Sequence, residues 1–361
     1  MSRAHLSNIA KPVLLKGMSL EQLRTWCQEA GEPAYRGTQL FDWLYKRGAT
    51  DPAIMANLPS GFRGWLAENT LLSAGSVVGK SASALEPTLK YLIHLEDGSL
   101  VETVSMLEAG RHTVCLSSQV GCNVGCTFCA TASMGLVRNL HPGEIIDQLL
   151  LVQEDRGIPA TNVVFMGMGE PLLNYASVIA AAEIMHHPRG LNIGAQRITI
   201  STVGIVPRIK QYTDEQQPYR LAISLNATDD QTRAEIMPLD RKWNLEKLLN
   251  AARNHARTSK RAITFEYVLL AGINDSIKDA GRLARLVSNI KCKINLIPYN
   301  EAGAIFRKPL QHVIEAFAAQ LKEARIPVTI RWSNGVDIAA GCGQLAAPMN
   351  LQEDAQVSTD Y

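Results

Sequence analysis

The chain has 361 residues, 46% hydrophobic and 19% charged, which excludes a disordered polyelectrolyte and permits one large globular domain with a smaller companion. A formal net charge of +2 excludes nucleic-acid capture by a global basic field and leaves that task to local patches. No apolar run approaches the roughly 18 residues of a membrane helix, and the opening MSRAHLSNIAKPVLLKG lacks a signal-peptide core. The expected location is therefore the cytoplasm, where seven cysteines read as metal ligands, catalytic thiols or core residues rather than as a disulfide scaffold.

From about residue 18 to 70 the apolar positions recur at helical spacing: Leu20, Leu23 and Cys27, then Leu40, Trp43 and Leu44, then Phe62, Trp65 and Leu66. Short packed helices are expected, with Gly31 and Gly48 at C-caps. Arg36, Lys46, Arg47 and Arg63 would leave a basic surface, as suited to a solvated helix face as to RNA contact. Two alternating runs, TLKYLIHL and LVETVSML, flank Glu96, Asp97, Gly98 and Ser99 and predict a hairpin.

After residue 112 strands and helices alternate. HTVCLSSQ, NVVFMG, RITIST, RLAISLN, ITFEYVLL, KINLIPY and VTIRWS read as strands, most of them separated by helical stretches such as PGEIIDQLLLVQEDRG, with Pro142 in a first turn, and DAGRLARLVSNI. The pattern predicts an α/β fold with a parallel sheet, a partial (βα)6-type barrel rather than eight closed strands, whose chemistry gathers at the C-terminal strand ends. The expected organisation is a helical module over 1–75, a β-hairpin linker over 76–111, the barrel over 112–340 and a C-terminal segment over 341–361.

The first core strand leads into GCNVGCTFCATASMG, which places Cys122, Cys126 and Cys129 in a CxxxCxxC spacing. Three thiolates on a [4Fe-4S] cluster leave one iron open, and in radical chemistry that iron holds S-adenosylmethionine and delivers the electron that cleaves it. A closed zinc site would need a fourth ligand, and His141, twelve residues beyond Cys129, has no paired ligand. A redox pair would use only two of the three. The open cluster is the favoured reading, with zinc and the redox pair as alternatives.

At the next strand end, FMGMGEP offers Gly167 and Gly169 for close backbone approach to a ligand and Glu170 as a carboxylate. Ser201, Ser224, Leu225, Asn226 and Asn300 stand at successive strand tips, where polar and backbone groups suit a cofactor's ribose and methionine ends. Cys115 on an apolar strand is by itself a core cysteine, and Cys27 and Cys292 are read as structural. Arg253, His255, Arg257, Lys260 and Arg261 form the best basic cluster, with a solvated helix end as the simpler reading. Cys342 lies between glycines in a segment suited to a mobile carrier.

Taken together, EPAYRGTQLFDWLY, VETV, CLSSQVGCNVGCTFCAT, FMGMGEPLLN, RITISTVGIVP, INLIPYN and GCGQLA resemble the radical S-adenosylmethionine methyltransferases of the dual-specificity RNA methyltransferase family, over nearly the whole chain. The resemblance implies a radical S-adenosylmethionine barrel acting on carbon 2 of an adenosine in 23S rRNA and in the tRNA anticodon loop. It further implies a [4Fe-4S] cluster and S-adenosylmethionine as cofactors, an electron donor such as flavodoxin with its reductase, no membrane association and a monomeric enzyme. It makes Cys342 the methyl carrier, Glu102 of VETV the proton acceptor and Cys115 the thiol that closes a disulfide with Cys342 as product leaves. The N-terminal module is implied as the RNA-fold reader. Carbon 2 lies between two ring nitrogens and is too electron-poor to attack a methylsulfonium, which accounts for the radical route. Asn226 stands where many members have histidine, and Gly341 where alanine is common, which would loosen the carrier loop. Two rivals stay open: a carbon-8 methyltransferase conferring antibiotic resistance, whose members tend to read MGMGEAL, and a non-enzymatic metal-containing RNA-binding protein.

Overall fold

The computed structural model describes residues 12–238, 242–302 and 305–347. Residues 1–11 of the expected helical module and 348–361 of the expected C-terminal segment lie outside the described residues. Among the described residues no helix is long and apolar enough to cross a membrane.

The helical periodicity of the first third resolves into α1 (Leu20–Glu29), α2 (Tyr35–Phe41), continued by a π-turn over Asp42–Lys46, and α3 (Ser60–Asn69). Ser19 caps α1 in a reciprocal box with Gln22, and Gly31 and Gly48 follow their helices with positive φ. Leu23, Cys27, Leu40, Leu44, Phe62 and Leu66 make the buried face, so Cys27 is structural packing. The expected basic surface is partly tied down: Arg36 Nη1 donates to the Asn57 carbonyl (3.0 Å) and Arg47 lies 4.4 Å over the Trp43 ring. Lys16 and Asp147, each 1% exposed, form a buried ion pair that fastens this module to the barrel helix carrying Asp147.

One ten-stranded sheet carries the rest. Its antiparallel part is β1 (Gly75–Ala82), β2 (Thr88–Leu95) and β3 (Leu100–Glu108). The predicted hairpin is β2 and β3. The mostly polar run GSVVGKSA forms the edge strand β1, so this region extends the sheet rather than linking two parts. Strand β3 pairs antiparallel with β4 (Arg111–Cys115), and parallel strands follow in chain order: β5 (Asn162–Phe165), β6 (Ile198–Thr202), β7 (Arg220–Ser224), β8 (Ile263–Leu269), β9 (Cys292–Pro298) and β10 (Val328–Ile330). The crossovers run through α5 (Pro142–Arg156), α6 (Tyr175–His186), α7 (Val206–Asp214), α8 (Asp230–Ile236) with α9 (Leu245–Ser259), α10 (Ile277–Val287) and α11 (Gln311–Glu323), six βα units in an open arc; a short α4 (Ala130–Ser133) precedes α5.

Period-2 alternation sorts the two faces of the parallel strands. Ile198, Ile200, Leu221, Ile223, Phe265, Tyr267, Ile294 and Leu296 are buried in the core. Thr113, Cys115, Thr199, Thr264, Glu266, Lys293 and Asn295 line the hollow of the arc. That polar face is what makes the interior a site rather than a core.

The basic cluster read on α9 is not one surface. His255 is 3% exposed and its Nδ1 lies 2.9 Å from Thr213 Oγ1, while Arg253 and Arg261 bond to Asn289 and to the Gln217 carbonyl. The i, i+4 rows of α9 turn residue 255 inward with Leu248 and Ala252, so charge counting along the sequence misplaced it. Burial, and secondarily the Arg261 charge, lower the His255 pKa from its ordinary 6.5 to about 4. Between those values the unfolded chain binds the extra proton, so stability is full above pH 6.5 and is lost as pH falls toward 4. Urea unfolding at pH 7 and pH 4.5 should show this loss, up to about 3 kcal/mol from this residue, reduced in His255→Gln; equal slopes for both proteins would contradict it.

Candidate active site

The cysteine loop is tied at its base. Gln119–Gly121 and Leu136–Asn139 form a small antiparallel ladder, and the Cys122 N–H donates to the Gly135 carbonyl at 2.7 Å. Cys129 N–H donates to the Cys126 carbonyl (3.1 Å), and Thr127 N–H reaches the Ile236 carbonyl at the end of α8 (3.0 Å). Cys122, Cys126 and Cys129 pack with Val124, Phe128, Met237, Leu270 and Tyr299 in an apolar nest. His141 caps α5, its Nδ1 accepting the Gly143 N–H (3.1 Å), and so has a structural task of its own.

Burial pushes the Cys122 thiol up to about 11 and raises Cys126 well above the ordinary range, and for Cys126 the neighbouring Cys129, Cys122 and Glu170 charges push the same way. Only Arg233 pulls Cys126 down. Among the described residues no three His, Cys, Asp or Glu side chains gather round a single ion. Three mutually repelling thiols, spread in a dry nest without a fourth protein ligand, fit a multi-iron cationic group with an open corner better than a mononuclear metal.

Beside them lies a cavity of about 150 Å³ lined by Cys126, Cys129, Gly169, Glu170, Ser201, Ser224, Asn226, Asn300 and Cys342. Every strand-tip residue expected from the sequence is there except Leu225, which is fully buried and donates its N–H to the Glu266 carbonyl (2.9 Å). Gly167 and Gly169 have a second reason beside the one expected. A Cβ at Gly167 would lie 2.8 Å from the Leu116 carbonyl, and one at Gly169 (φ +97°) would meet Gln119 at 2.6 Å, so they also allow two protein loops to touch while lining the cavity.

Glu170 is 2% exposed; its oxygens accept the Leu172 N–H (2.9 Å) and the Val203 N–H (2.8 Å), and burial raises its pKa to about 7. The SSQ that follows Cys115 serves the same junction. Ser117 Oγ donates to the Glu102 carbonyl (2.6 Å) and accepts the Met168 N–H (2.9 Å), while Gln119 Oε1 accepts the Glu170 N–H (2.8 Å). Asn226, at φ +57°, is 1% exposed and its Oδ1 accepts the Val268 N–H (2.9 Å), stitching β7 to β8. Asn300 Nδ2 donates to Ser333 Oγ (2.7 Å) and to the Cys342 carbonyl (3.0 Å).

Cys342 lines a second, larger cavity of about 440 Å³ together with Cys115, Met166, Glu266, Asn295 and Arg331. Burial, and next the Cys342 charge, push the Cys115 thiol up to about 12; Arg331 is raised first by Cys342 and also by Glu266 and Cys115, so these groups share one electrostatic neighbourhood. Rather than loosening the carrier segment, Gly341 allows a tight approach, since a Cβ there would lie 2.7 Å from Gln344 Oε1 and 2.9 Å from Asn300 Nδ2. All seven cysteines are free, so the implied Cys115–Cys342 disulfide is absent from this structure. Glu102 is 5% exposed, with Oε1 paired to Lys90 Nζ (2.8 Å) and Oε2 accepting the Ala346 N–H (2.8 Å).

Residues 116–284 match the model of the radical SAM superfamily, and residues 13–72 that of the ribosomal RNA large subunit methyltransferase N-terminal domain. The dual-specificity RNA methyltransferase RlmN of Geobacter sulfurreducens is 45% identical over 93% of this chain and 92% of its own length, and that of Syntrophobacter fumaroxidans 43% identical over 93% and 99%. The chain belongs to the RlmN family of radical SAM RNA methyltransferases. A radical SAM methyltransferase from Sphaerobacter thermophilus has the same fold, with a TM-score of 0.89, 42% identity and coverage of 93% of this chain and all of that one. As members of that superfamily do, this enzyme uses a [4Fe-4S] cluster and S-adenosylmethionine.

Arg233 is a site residue that the sequence did not announce. It is 2% exposed and donates from Nε to the Leu225 carbonyl (2.9 Å) and from Nη2 to the Val203 carbonyl (2.7 Å), joining two strand tips beside Cys126. Its position as an ordinary helix cation hid it. Arg233→Met should lower unfolding stability by about 3 kcal/mol, because buried acceptors lose their donor, and should reduce the iron retained after anaerobic gel filtration. Unchanged stability and iron content would contradict that role.

Proposed function

We propose that this enzyme methylates carbon 2 of an adenosine in 23S rRNA and in the tRNA anticodon loop through a methylated Cys342, acting as a monomer with flavodoxin and its reductase as electron source. The observation that carries the reading is the position of Cys342, which lines the cavity of the cluster cysteines on one side and the Cys115 cavity on the other. A carrier that collects a methyl group in one chamber and delivers it in the next needs that address.

Cys122, Cys126 and Cys129 would hold the cluster, which when bound supplies the electron for reductive cleavage of S-adenosylmethionine. Gly169, Glu170, Ser201, Ser224, Asn226 and Asn300 form the surrounding wall, and Leu225 lies behind it with its N–H and carbonyl bonded to Glu266 and Arg233. The Cys342 thiolate takes a methyl from one S-adenosylmethionine, forming the S–C bond as the sulfonium bond breaks. Removal of one hydrogen atom from the methylated Cys342 would leave a carbon-centred radical there that adds to the ring carbon, and the adduct's unpaired electron would return to the oxidised cluster. Glu102, its two oxygens oriented by Lys90 and the Ala346 amide, accepts the ring proton. Cys115 then attacks the Cys342 sulfur and breaks its bond to the methylene carbon, which takes up a proton as methylated RNA leaves, and the resulting disulfide is reduced by external thiols. Burial keeps Cys115 as the thiol despite the neighbouring Arg331, so it must lose its proton before it attacks.

Nucleosides from unmodified rRNA and tRNA, treated with reconstituted enzyme, reductant and methyl-trideuterated S-adenosylmethionine, should contain labelled 2-methyladenosine retaining two of the three deuteriums. Labelled 8-methyladenosine would install the carbon-8 rival. No labelled base in either RNA would return the chain to the binding-protein reading.

A further inference from the structure

The larger cavity contains a polar group for which the steps above have no use. Glu266 sits in the middle of β8, 4% exposed, and lines both cavities. Its Oε1 accepts from Asn295 Nδ2 on the neighbouring strand at 3.0 Å. Its Oε2 is a buried carboxylate oxygen without a hydrogen-bond partner among the described residues. Arg331 and Lys293 favour its charge without bonding to it, the idle oxygen still lacks a donor, and nothing in the strand pairing requires an acid there: Ser224 and Asn295 stand opposite it in register. A side chain held at such a cost points to a donor that arrives with a ligand.

The chemistry limits which ligand that is. The ring is joined to Cys342 through one carbon when Cys115 attacks that sulfur, so it is held at the chamber that both cysteines line, the larger cavity. At about 440 Å³ it falls within the roughly 300–1,000 Å³ of small-molecule sites and can admit a flipped purine base. Adenine presents an amino donor beside a ring-nitrogen acceptor, and the wall of this chamber includes residues of complementary chemistry, Glu266 as acceptor and Arg331 as donor. Guanine and hypoxanthine would turn a carbonyl oxygen toward the carboxylate and be repelled.

We propose that Glu266 is a specificity-determining residue whose free oxygen accepts a hydrogen bond from the exocyclic amino group of the target adenine. This deepens the methyltransferase reading and rests on it. The test uses reconstituted holoenzyme and two RNA hairpins that differ at the target position, one carrying adenosine and one purine riboside, in which hydrogen replaces the amino group. Both kcat/KM and equilibrium Kd are measured for the unaltered enzyme, Glu266→Met and Glu266→Gln, with an unfolding midpoint for each. The unaltered enzyme should favour adenosine by about 10–100-fold, the weight of one charge-assisted hydrogen bond. In Glu266→Met the preference should shrink to within about twofold, and Glu266→Gln should also lose most of it. A merely structural glutamate would lower both substrates equally and leave the ratio untouched. An undiminished adenosine preference in both variants would overturn the assignment while leaving the methyltransferase reading intact. Failure of the unaltered enzyme to methylate the adenosine hairpin would remove that reading, and this inference with it.

Discussion

Seven parallel strands do not close a barrel, and in this chain the opening is spanned by the segment that follows the last strand. Glu86 accepts the Gly335 N–H, Asp337 accepts from Ser83 Oγ and the Ala84 N–H, and Glu102 accepts the Ala346 N–H, each across about 250 residues of sequence or nearly so. From the cysteine loop, Ala130 N–H donates to the Gly343 carbonyl (2.7 Å) and Thr131 Oγ1 to the Leu345 carbonyl (2.6 Å). Asn300 holds the Cys342 carbonyl from a third direction. The address of the Cys342 thiol is therefore fixed by the antiparallel extension, the cluster loop and a strand tip together. Without that strap there would be no thiol at the junction of the two chambers.

The same arrangement explains why the site is costly to maintain. Glu170, Glu266, Arg233, Cys122 and Cys126 are buried, several with their titration displaced by the loss of water around them. Carbonyls and amides from neighbouring tips absorb part of that cost, as Arg233 and Glu170 show, and the remainder is carried until cofactors and substrate supply opposite charges and donors. The rest of the chain is conventional in its stability: continuous apolar packing beneath the helices, capped helix ends, and one buried ion pair fastening the N-terminal module.

Much of this was legible in the chain itself. RITIST and ITFEYVLL were legible as strands, and the structure adds which face of each turns to the core. The CxxxCxxC spacing gave the cluster loop because ligand count is a local property. What escaped was set by pairs far apart in sequence or by the third dimension of a helix. Gly167 and Gly169 gave no sign of their second task, the tight loop contact, because their neighbours, Leu116 and Gln119, are about fifty residues away. His255 looked like part of a basic patch because charge counting ignores which side of α9 faces inward. Lys90, Arg233 and Glu266 carry no motif; only contacts between elements far apart in sequence mark them, and Gly341 reads as slack until Asn300 and Gln344 are seen pressed against it.

The proposed chemistry depends on Cys115 reaching the sulfur of Cys342 while that sulfur is joined through one carbon to the ring. The most direct measurement removes the second sulfur and looks for what the first leaves behind: Cys115→Ala enzyme, reconstituted and turned over with substrate RNA, is digested with nuclease and protease and analysed by mass spectrometry. A nucleotide joined through one carbon to the peptide bearing Cys342 is the predicted result. Methylated RNA released at the unaltered rate, with no such peptide, would contradict it.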